Sequence, residues 1–303
     1  MRILLLGKNG QVGWELQRAL APLGELVACG SAEADLRDPA ALAGLVKRVK
    51  PQLIVNAAAH TAVDRCESEP ERAMAINAQA PGLLAREAAA LDALLVHYST
   101  DYVFDGSGSR PWAEADATGP LNIYGRSKLA GEEAIRASGC RHLILRTSWV
   151  YAARGGNFAR TMLRLAGERE SLNVIDDQIG APTGAELIAD VTAHALRGVA
   201  RRPDLAGTYH LAAAGATSWH GFATHVIEAA RGMAASAVKV AADAIHAVPS
   251  SAFPTPARRP LNSRLDCSKL QRAFDLHLPD WRIGVDRLLA ELLPTDSKAT
   301  PSR

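Results

Sequence analysis

The sequence predicts an α/β protein with a doubly wound parallel sheet and a smaller, discontinuous second domain in its C-terminal half. Up to about residue 150, short apolar segments alternate with longer amphipathic ones, and the apolar segments are continuous rather than alternating. Continuous apolar strands are typical of a parallel sheet that is covered by helices on both faces and wound with right-handed crossovers. The 303 residues, 48% of them hydrophobic, suffice for both domains.

The apolar segments and the segments of helical periodicity give the expected order of elements. We expect strands at 2–6, 25–29, 53–56, 94–98, 142–146 and 207–211. We expect helices at 11–22, 39–49, 69–92 (one long helix or two), 124–138 and 186–199.

The regular alternation ends near residue 150, which indicates a domain boundary. We predict a first domain from 1–151 plus 186–213 and a second from 152–185 plus 214–293, followed by a flexible tail at 294–303. Four prolines between 249 and 263 exclude a long regular element there.

Composition excludes several classes of function. A net charge of +2 gives no field that would favour nucleic acid or an anionic membrane. Charged residues interrupt every apolar stretch before it could span a bilayer, and the first apolar segment is too short for a signal peptide. The 4 cysteines form no C-x-x-C pair, so we expect free thiols and a cytoplasmic protein rather than a zinc site or disulfides.

A glycine turn joins the first strand to the first helix. Gly7, Gly10 and Gly13 follow the strand directly, in the spacing G-x-x-G-x-x-G. Such a turn lets the backbone approach a pyrophosphate, and the helix N-terminus supplies N–H groups and a partial positive charge. The alternative is a plain tight turn, but at the first strand of a βαβ chain we expect a Rossmann-type nicotinamide dinucleotide site.

The end of the second strand bears on the choice of cofactor. An acid there accepts from the adenosine ribose and repels a 2′-phosphate, but this chain has Gly30 followed by Ser31. We therefore expect NADPH to be accepted, with Ser31 donating to its phosphate, and NADH to be used as well. Asp35 and Leu36 could flank the adenine; the alternative is that they are ordinary loop residues.

Tyr124 and Lys128 are one helical turn apart and so share a helix face. Reduction of a ketone needs a proton donor, and a phenol with a pKa of about 10 is a weak one unless an ammonium group favours its ionised form. Thr100 follows the fourth strand, at the sheet edge where ligands bind, and could hold the substrate oxygen beside Tyr124. Alone, the Tyr-Lys pair is a common surface pair, but together with the glycine turn it predicts a ketone reductase.

Two further features could contact a substrate. Arg258 and Arg259 offer bidentate donors, the alternative being a solvated basic pair. Trp149 follows the strand at 142–146 and could cover one face of a bound substrate, the alternative being core packing.

With these residues the chain resembles the extended short-chain dehydrogenase/reductases, and among them the dTDP-4-dehydrorhamnose reductases. The likeness extends from residue 1 to about 293. Five strings carry it: 7–16 (GKNGQVGWEL), 56–64 (NAAAHTAVD), 99–104 (STDYVF), 146–151 (RTSWVY) and 256–260 (PARRP).

The resemblance implies reduction of dTDP-4-dehydro-β-L-rhamnose to dTDP-β-L-rhamnose with NAD(P)H. It implies that Thr100, Tyr124 and Lys128 are catalytic and that Thr100, Asp101, Tyr124 and Trp149 contact the substrate. The implied cofactor contacts are Gly10, Gln11, Val12, Asp35, Leu36, Ala59, His60, Thr61, Tyr124 and Lys128.

The resemblance also raises magnesium, which some relatives bind between subunits through carboxylates. Glu15, Glu186 and Glu291 lie in matching strings, with solvated surface glutamates as the alternative, and a homodimer is compatible with the sequence. Two other functions stay open: an NADP-binding regulatory subunit like that of methionine adenosyltransferase, and a sugar-nucleotide epimerase or dehydratase. The intact Thr100, Tyr124 and Lys128 set favours an enzyme over the first.

Overall fold

A computed structural model describes residues 1–293 of the chain. Its strands are β1 (Arg2–Leu6), β2 (Glu25–Cys29), β3 (Leu53–Asn56), β4 (Leu94–Thr100), β5 (His142–Thr147), β6 (Val150–Tyr151), β7 (Leu172–Ile175), β8 (Ile179–Gly180), β9 (Thr183–Gly184), β10 (Gly207–His210), β11 (Thr217–Ser218) and β12 (Ile245–Val248). Its α-helices are α1 (Gln11–Leu20), α2 (Pro39–Val49), α3 (Val63–Ser68), α4 (Pro70–Met74), α5 (Ala80–Ala90), α6 (Ile123–Ala137), α7 (Phe158–Glu168), α8 (Ala185–Arg201), α9 (Trp219–Met233), α10 (Ser268–Phe274) and α11 (Trp281–Leu292).

Six strands form a parallel sheet in the order β10-β5-β4-β3-β1-β2. The chain thus runs outward from β1 in both directions, which is the doubly wound arrangement, and the predicted fold class is confirmed. All six predicted strands are present in this sheet, and β4 continues past the predicted end at residue 98 to Thr100.

Helices cover both faces of the sheet, as continuous apolar strands require. Residues of α1 and α8 pack into the core on one face, and residues of α2, α5 and α6 pack into the core on the other. The segment predicted as one or two helices at 69–92 is α4 and α5, joined by a π-helical turn over Ala75–Gln79.

A separate apolar core lies in the C-terminal half. It is built mainly on α7, α9 and α11 and includes Met162, Phe222 and Trp281. Meanwhile α8 packs on α1, and β10 joins the central sheet beside β5. The predicted division into two discontinuous domains agrees with these two placements but stays a prediction. The predicted flexible tail lies outside the described residues.

The proline-rich segment 249–263 contains only a short 3₁₀ turn at Ser250–Ala252, as its four prolines predict. All four cysteines are free and buried. Within residues 1–293, no helix has both the length and the apolar character that crossing a membrane requires.

Candidate functional site

The glycine turn is as tight as the spacing predicts. Gly7 has a φ of +88°, and a Cβ atom there would lie 2.7 Å from the Ala58 nitrogen, so only glycine fits where this turn meets the loop after β3. A Cβ at Gly13 would overlap the Gly7 carbonyl oxygen. Gly10 caps α1 without a side-chain hydrogen bond. The N–H groups of Gln11 and Val12 therefore begin an uncapped helix, which suits an anionic ligand.

The end of β2 differs from its prediction, because a carboxylate does lie there. Glu33 folds back so that its Oε2 accepts from the Gly30 N–H at 2.8 Å, and its Oε1 accepts from Lys8 Nζ at 2.6 Å. A Cβ at Gly30 would lie 2.7 Å from Asn9 Nδ2. Gly30 thus leaves room for three polar side chains, whereas Ser31 is exposed beside them. The sequence argument expected an acid directly after the strand, where Gly30 stands, and did not foresee that Glu33 folds back to this place.

Asp35 and Leu36 differ in their exposure to solvent. The Asp35 carboxylate is bound by Arg37 at 2.6 Å, and these hydrogen bonds lower its pKa to about 2. Leu36 is buried in the core beneath α2. Asp35 is therefore the exposed member of the predicted adenine contact.

Ala59, His60 and Thr61 form the loop that leaves the carboxyl end of β3. The backbone of His60 is fixed by the Asn77 amide, which accepts from its N–H at 2.8 Å and donates to its carbonyl at 3.0 Å. Burial, followed by the Arg72 charge, lowers the pKa of the His60 imidazole. Thr61 is exposed. This loop and the glycine turn meet at the Gly7–Ala58 contact, so the two predicted cofactor segments are adjacent.

Thr100 and Tyr124 come together at the carboxyl edge of the sheet. Thr100 ends β4, and Tyr124 lies in the first turn of α6, which begins at the Asn122 cap. Burial raises the pKa of the Tyr124 phenol, and a hydrogen bond with the Thr100 hydroxyl acts in the opposite direction. The Tyr102 ring packs edge-on against Tyr124 at 5.7 Å between ring centroids. Tyr124 therefore stays a protonated phenol next to a hydroxyl group, as a proton donor must be.

Lys128 lies one turn further along α6 and is 2% exposed. Its Nζ donates to the Tyr98 carbonyl at 2.6 Å and lies 3.1 Å from His97 Nε2. Burial lowers the pKa of Lys128 to about 8, against the opposing charge of Glu132. The sequence argument placed the ammonium to favour ionisation of Tyr124, but the structure joins it to β4 and leaves the Tyr124 pKa raised. The sequence argument did not identify His97 as a neighbour of Lys128.

Asp101 and Trp149 lie at the same edge. Asp101 is buried, accepts from the Thr100 hydroxyl at 3.0 Å, and has its pKa raised to about 7 by burial. Trp149 follows β5 with a φ of +48°, and its ring stacks on Trp219 with 3.6 Å between ring centroids. A Cβ at Gly180 would lie 2.6 Å from Trp149, so this glycine makes room for the ring. Trp149 is half-buried and is not simply a core residue.

Arg258 and Arg259 line a cavity of about 700 Å³ next to the loop after β4. Arg259 is committed to Asp64, which it meets at 2.7 Å and whose pKa it lowers. The Arg258 side chain is exposed, and no carboxylate in the described part of the chain lies within 4 Å of it. Of the predicted pair, Arg258 is the one with free donors.

The three glutamates predicted for magnesium line one cavity, next to α11. Arg287 pairs with Glu186 at 3.1 Å and with Glu291 at 4.0 Å, and Arg18 lies 3.6 Å from Glu15. Across residues 1–293, no group of three carboxylate, histidine or cysteine side chains is arranged to hold a metal ion. The structure therefore does not support the magnesium prediction.

A doubly wound sheet with a glycine turn, and a Thr-Tyr-Lys set at its carboxyl edge, is the arrangement of the extended short-chain dehydrogenase/reductases. The chain matches the family described as RmlD substrate binding domain over residues 1–293. It is 56% identical to the dTDP-4-dehydrorhamnose reductases of Shigella flexneri and Escherichia coli K12, over 97% of this chain and 99% of each relative. The chain belongs to the dTDP-4-dehydrorhamnose reductase family.

Solved structures of dTDP-4-dehydrorhamnose reductases agree with this family assignment. The dTDP-4-dehydrorhamnose reductase of Clostridium acetobutylicum superimposes with a TM-score of 0.87 at 32% identity, covering 96% of this chain and 99% of that one. The Bacillus anthracis reductase, solved in complex with NADP, gives 0.86 at 33% identity with the same coverage. A Thermus thermophilus UDP-glucose 4-epimerase gives 0.77 at 17% identity, which shows a shared fold alone.

Proposed function

We propose that the chain reduces the 4-keto group of dTDP-4-dehydro-β-L-rhamnose to give dTDP-β-L-rhamnose, with a reduced nicotinamide dinucleotide as the hydride donor. The observation that carries the proposal is the meeting of the Thr100 hydroxyl and the Tyr124 phenol beside buried Lys128. Membership of the reductase family supports the substrate.

In the proposed reaction the carbonyl carbon accepts the hydride and the carbonyl oxygen accepts a proton. The reduced nicotinamide, when bound, supplies the hydride. Tyr124 supplies the proton, because burial keeps its phenol protonated at neutral pH. Thr100, whose hydroxyl donates to Asp101 in the structure, would turn this hydrogen to the same oxygen and so fix it beside Tyr124. Water later restores the Tyr124 proton, so one proton is consumed in each turnover.

The cofactor would lie along the carboxyl edge of the sheet. Its diphosphate fits the N-terminus of α1 at Gly10, Gln11 and Val12, where the backbone N–H groups have no side-chain cap. Asp35 and the loop at 59–61 would flank it on the β2 and β3 sides. These assignments follow from the positions of the side chains and are part of the proposal.

The choice between NADPH and NADH would depend on Lys8 and Glu33 rather than on Ser31. Glu33 can accept from the 2′-hydroxyl of NADH, whereas its partner Lys8 can pair with the 2′-phosphate of NADPH. The two charges neutralise each other at 2.6 Å in the structure, so neither cofactor meets an uncompensated like charge. Use of both cofactors follows, as the sequence predicts, but for a different physical reason.

Calorimetric titration with 2′,5′-ADP and 5′-ADP tests this choice without turnover. Lys8→Met should weaken 2′,5′-ADP by about tenfold, the value of one charge-assisted contact, and leave 5′-ADP unchanged. Glu33→Gln should strengthen 2′,5′-ADP. Equal losses for both nucleotides in Lys8→Met would contradict this role.

The substrate diphosphate would bind in the cavity at Arg258, because its guanidinium offers free donors at the mouth of the site. Trp149, stacked on Trp219, would cover the deoxysugar. Asp101 would accept from a sugar hydroxyl through its second oxygen, which is buried.

The test of the function is loss of reduced-nicotinamide absorbance with purified protein and freshly generated ketosugar. Turnover should require the ketosugar, and Tyr124→Phe should lower kcat at least about 100-fold, the usual share of a general acid. Tyr124→Phe with unchanged kcat would remove Tyr124 as the acid. Binding of NADPH without turnover would favour the regulatory subunit.

An epimerase or dehydratase stays the alternative enzyme, because Glu33 supplies at the end of β2 the acid that suits NAD. Such enzymes keep NAD through the cycle, so stoichiometric NAD in the protein as purified would favour them. The homodimer stays a prediction, for which light scattering after gel filtration gives the mass directly.

A further inference from the structure

Three buried side chains form a hydrogen-bonded chain behind Tyr124. The parallel register of β3 and β4 places Asn56 opposite His97, and Asn56 Nδ2 lies 3.2 Å from His97 Nδ1. The other ring nitrogen, Nε2, lies 3.1 Å from Lys128 Nζ. Asn56, His97 and Lys128 are each 2% exposed or less, so water does not compete for these contacts.

One end of this chain has a fixed polarity. The Asn56 side-chain oxygen accepts from the backbone N–H of Ala58 at 3.2 Å, and a backbone N–H can only donate. The Asn56 NH₂ group therefore faces His97 and donates to Nδ1. A neutral imidazole that accepts at Nδ1 carries its hydrogen on Nε2.

The same reasoning continues to Lys128. The Nε2–H of His97 points at Lys128 Nζ, which must accept this hydrogen with a lone pair. Only the neutral amine has one, and it still donates a hydrogen to the Tyr98 carbonyl at 2.6 Å. An ammonium would place two N–H groups against each other at 3.1 Å.

The surroundings favour the same state. His97 and the Tyr98 carbonyl face Lys128 from β4, and Tyr124 and Glu132 face it from α6. Glu132 is already bound by Arg146 at 2.7 Å and Arg136 at 3.0 Å, so its charge is largely compensated. Burial lowers the pKa of Lys128 to about 8 and that of His97 well below 6.5, so the imidazole stays neutral.

We propose that His97, oriented by Asn56, is a positioning residue that stabilises Lys128 as the neutral amine. Protonation of Lys128 then reverses the chain: Nε2 accepts, Nδ1 donates, and the Asn56 amide turns away from its bond with Ala58. Lys128 next to Tyr124 is thus a group that takes up and releases a proton near pH 8. The role of this proton in ketone reduction rests on the proposed function, but the tautomer and the titration do not.

The tautomer of His97 tests the proposal in the native protein. In [¹⁵N]histidine-labelled protein at pH 9.5, where Lys128 is deprotonated, long-range ¹H–¹⁵N correlations should show His97 with its hydrogen on Nε2. His210 is an internal control of the opposite kind, because its Nδ1 lies 2.9 Å from the Trp112 carbonyl and must carry the hydrogen. The His97 signal is assigned by its absence in His97→Gln or through the backbone resonances. A hydrogen on Nδ1 of His97 would overturn the proposal.

Titration of Lys128 gives a second, independent readout. In [¹³Cε]lysine-labelled protein, the Lys128 resonance, assigned by its loss in Lys128→Met, should titrate near pH 8. Asn56→Asp is a matched variant, since an acceptor replaces the donating NH₂ while the Ala58 contact is kept. It should raise the Lys128 midpoint by at least one pH unit and move the His97 hydrogen to Nδ1. An unchanged midpoint together with an unchanged tautomer in folded Asn56→Asp would overturn the proposal.

The two proposals can fail separately. The spectra are recorded without ketosugar, so a protein without turnover can still show the Nε2–H tautomer and the low midpoint. Conversely, an active reductase with the Nδ1–H tautomer would leave the function intact and refute the role of His97.

Discussion

Replacement of Gly180 by alanine should displace Trp149 and weaken sugar binding selectively. The new Cβ would lie 2.6 Å from Trp149 Cε2 and 2.9 Å from its Nε1, closer than real contacts allow. The ring has little freedom to adjust, because its backbone is already at a φ of +48° and its face is stacked on Trp219 at 3.6 Å. Overpacking of this kind costs about 1–3 kcal/mol.

The magnitude follows from that strain. If the displaced ring loses a substrate contact worth the same 1–3 kcal/mol, KM for the ketosugar rises about 5–150-fold. The dissociation constant of NADPH should stay the same, since β8 does not contribute to the glycine turn. Near-UV circular dichroism should change as well, because the two stacked indoles contribute to it together.

Gly232→Ala is the matched control. Gly232 lies in α9, and apart from the backbone of its own helix no atom of residues 1–293 would lie within 4 Å of a Cβ there, so the variant should keep its KM and gain about 0.5–1 kcal/mol in stability. Initial rates at varied ketosugar concentration and urea unfolding measure both quantities. A Gly180→Ala protein with an unchanged KM and an unchanged near-UV spectrum would refute the role given to Trp149.

Three further outcomes are expected. Glu132→Ala leaves the buried Arg146 guanidinium without its carboxylate and should lower the free energy of unfolding in urea by about 3–5 kcal/mol. Glu168→Ala breaks an exposed pair and should lower it by less than about 1 kcal/mol. Equal losses in the two variants would contradict the reasoning from burial. Burial lowers the pKa of His210 to about 3, so the unfolded chain binds a proton below pH 6.5 that the folded chain does not, and stability is lost as pH falls toward 3. His210→Asn should remove about 1.4 kcal/mol per pH unit from the slope of unfolding free energy between pH 6 and 4, and an unchanged slope would argue against a neutral buried imidazole. Gly7→Ala should weaken NADPH binding more than tenfold in calorimetry, because φ +88° and the Ala58 contact exclude a side chain; wild-type affinity would show that the turn can relax.

Strands β1 to β5 were predictable because each contains a continuous apolar segment, which only a sheet covered on both faces can bury. The glycine turn was predictable for a related reason: at the end of a first strand, three glycines serve few purposes other than close approach. Residues 207–211 were assigned to the sheet correctly because their length fits a strand, although residues 148–206 lie between β5 and β10 in the sequence.

The site was predictable only where one element carries the signal. Tyr124 and Lys128 share a helix face, so their spacing alone places them together. Glu33, by contrast, reaches Gly30 through a turn, and no spacing rule identifies it. The Arg259–Asp64 pair joins positions 195 residues apart and leaves Arg258 as the free cation, a distinction that two adjacent arginines do not reveal.

The sequence by itself therefore determined the fold class and the glycine turn, and it made Thr100, Tyr124 and Lys128 the candidate catalytic set, because local periodicity and strand ends define them. Only the tertiary structure decided the state of these groups. His97 and Asn56 meet Lys128 through the register of β3 and β4 and the packing of α6, and burial of that contact sets the pKa of the lysine. Desolvation and hydrogen-bond polarity depend on the groups that surround a side chain in space, and the neighbouring residues in the sequence do not specify those groups.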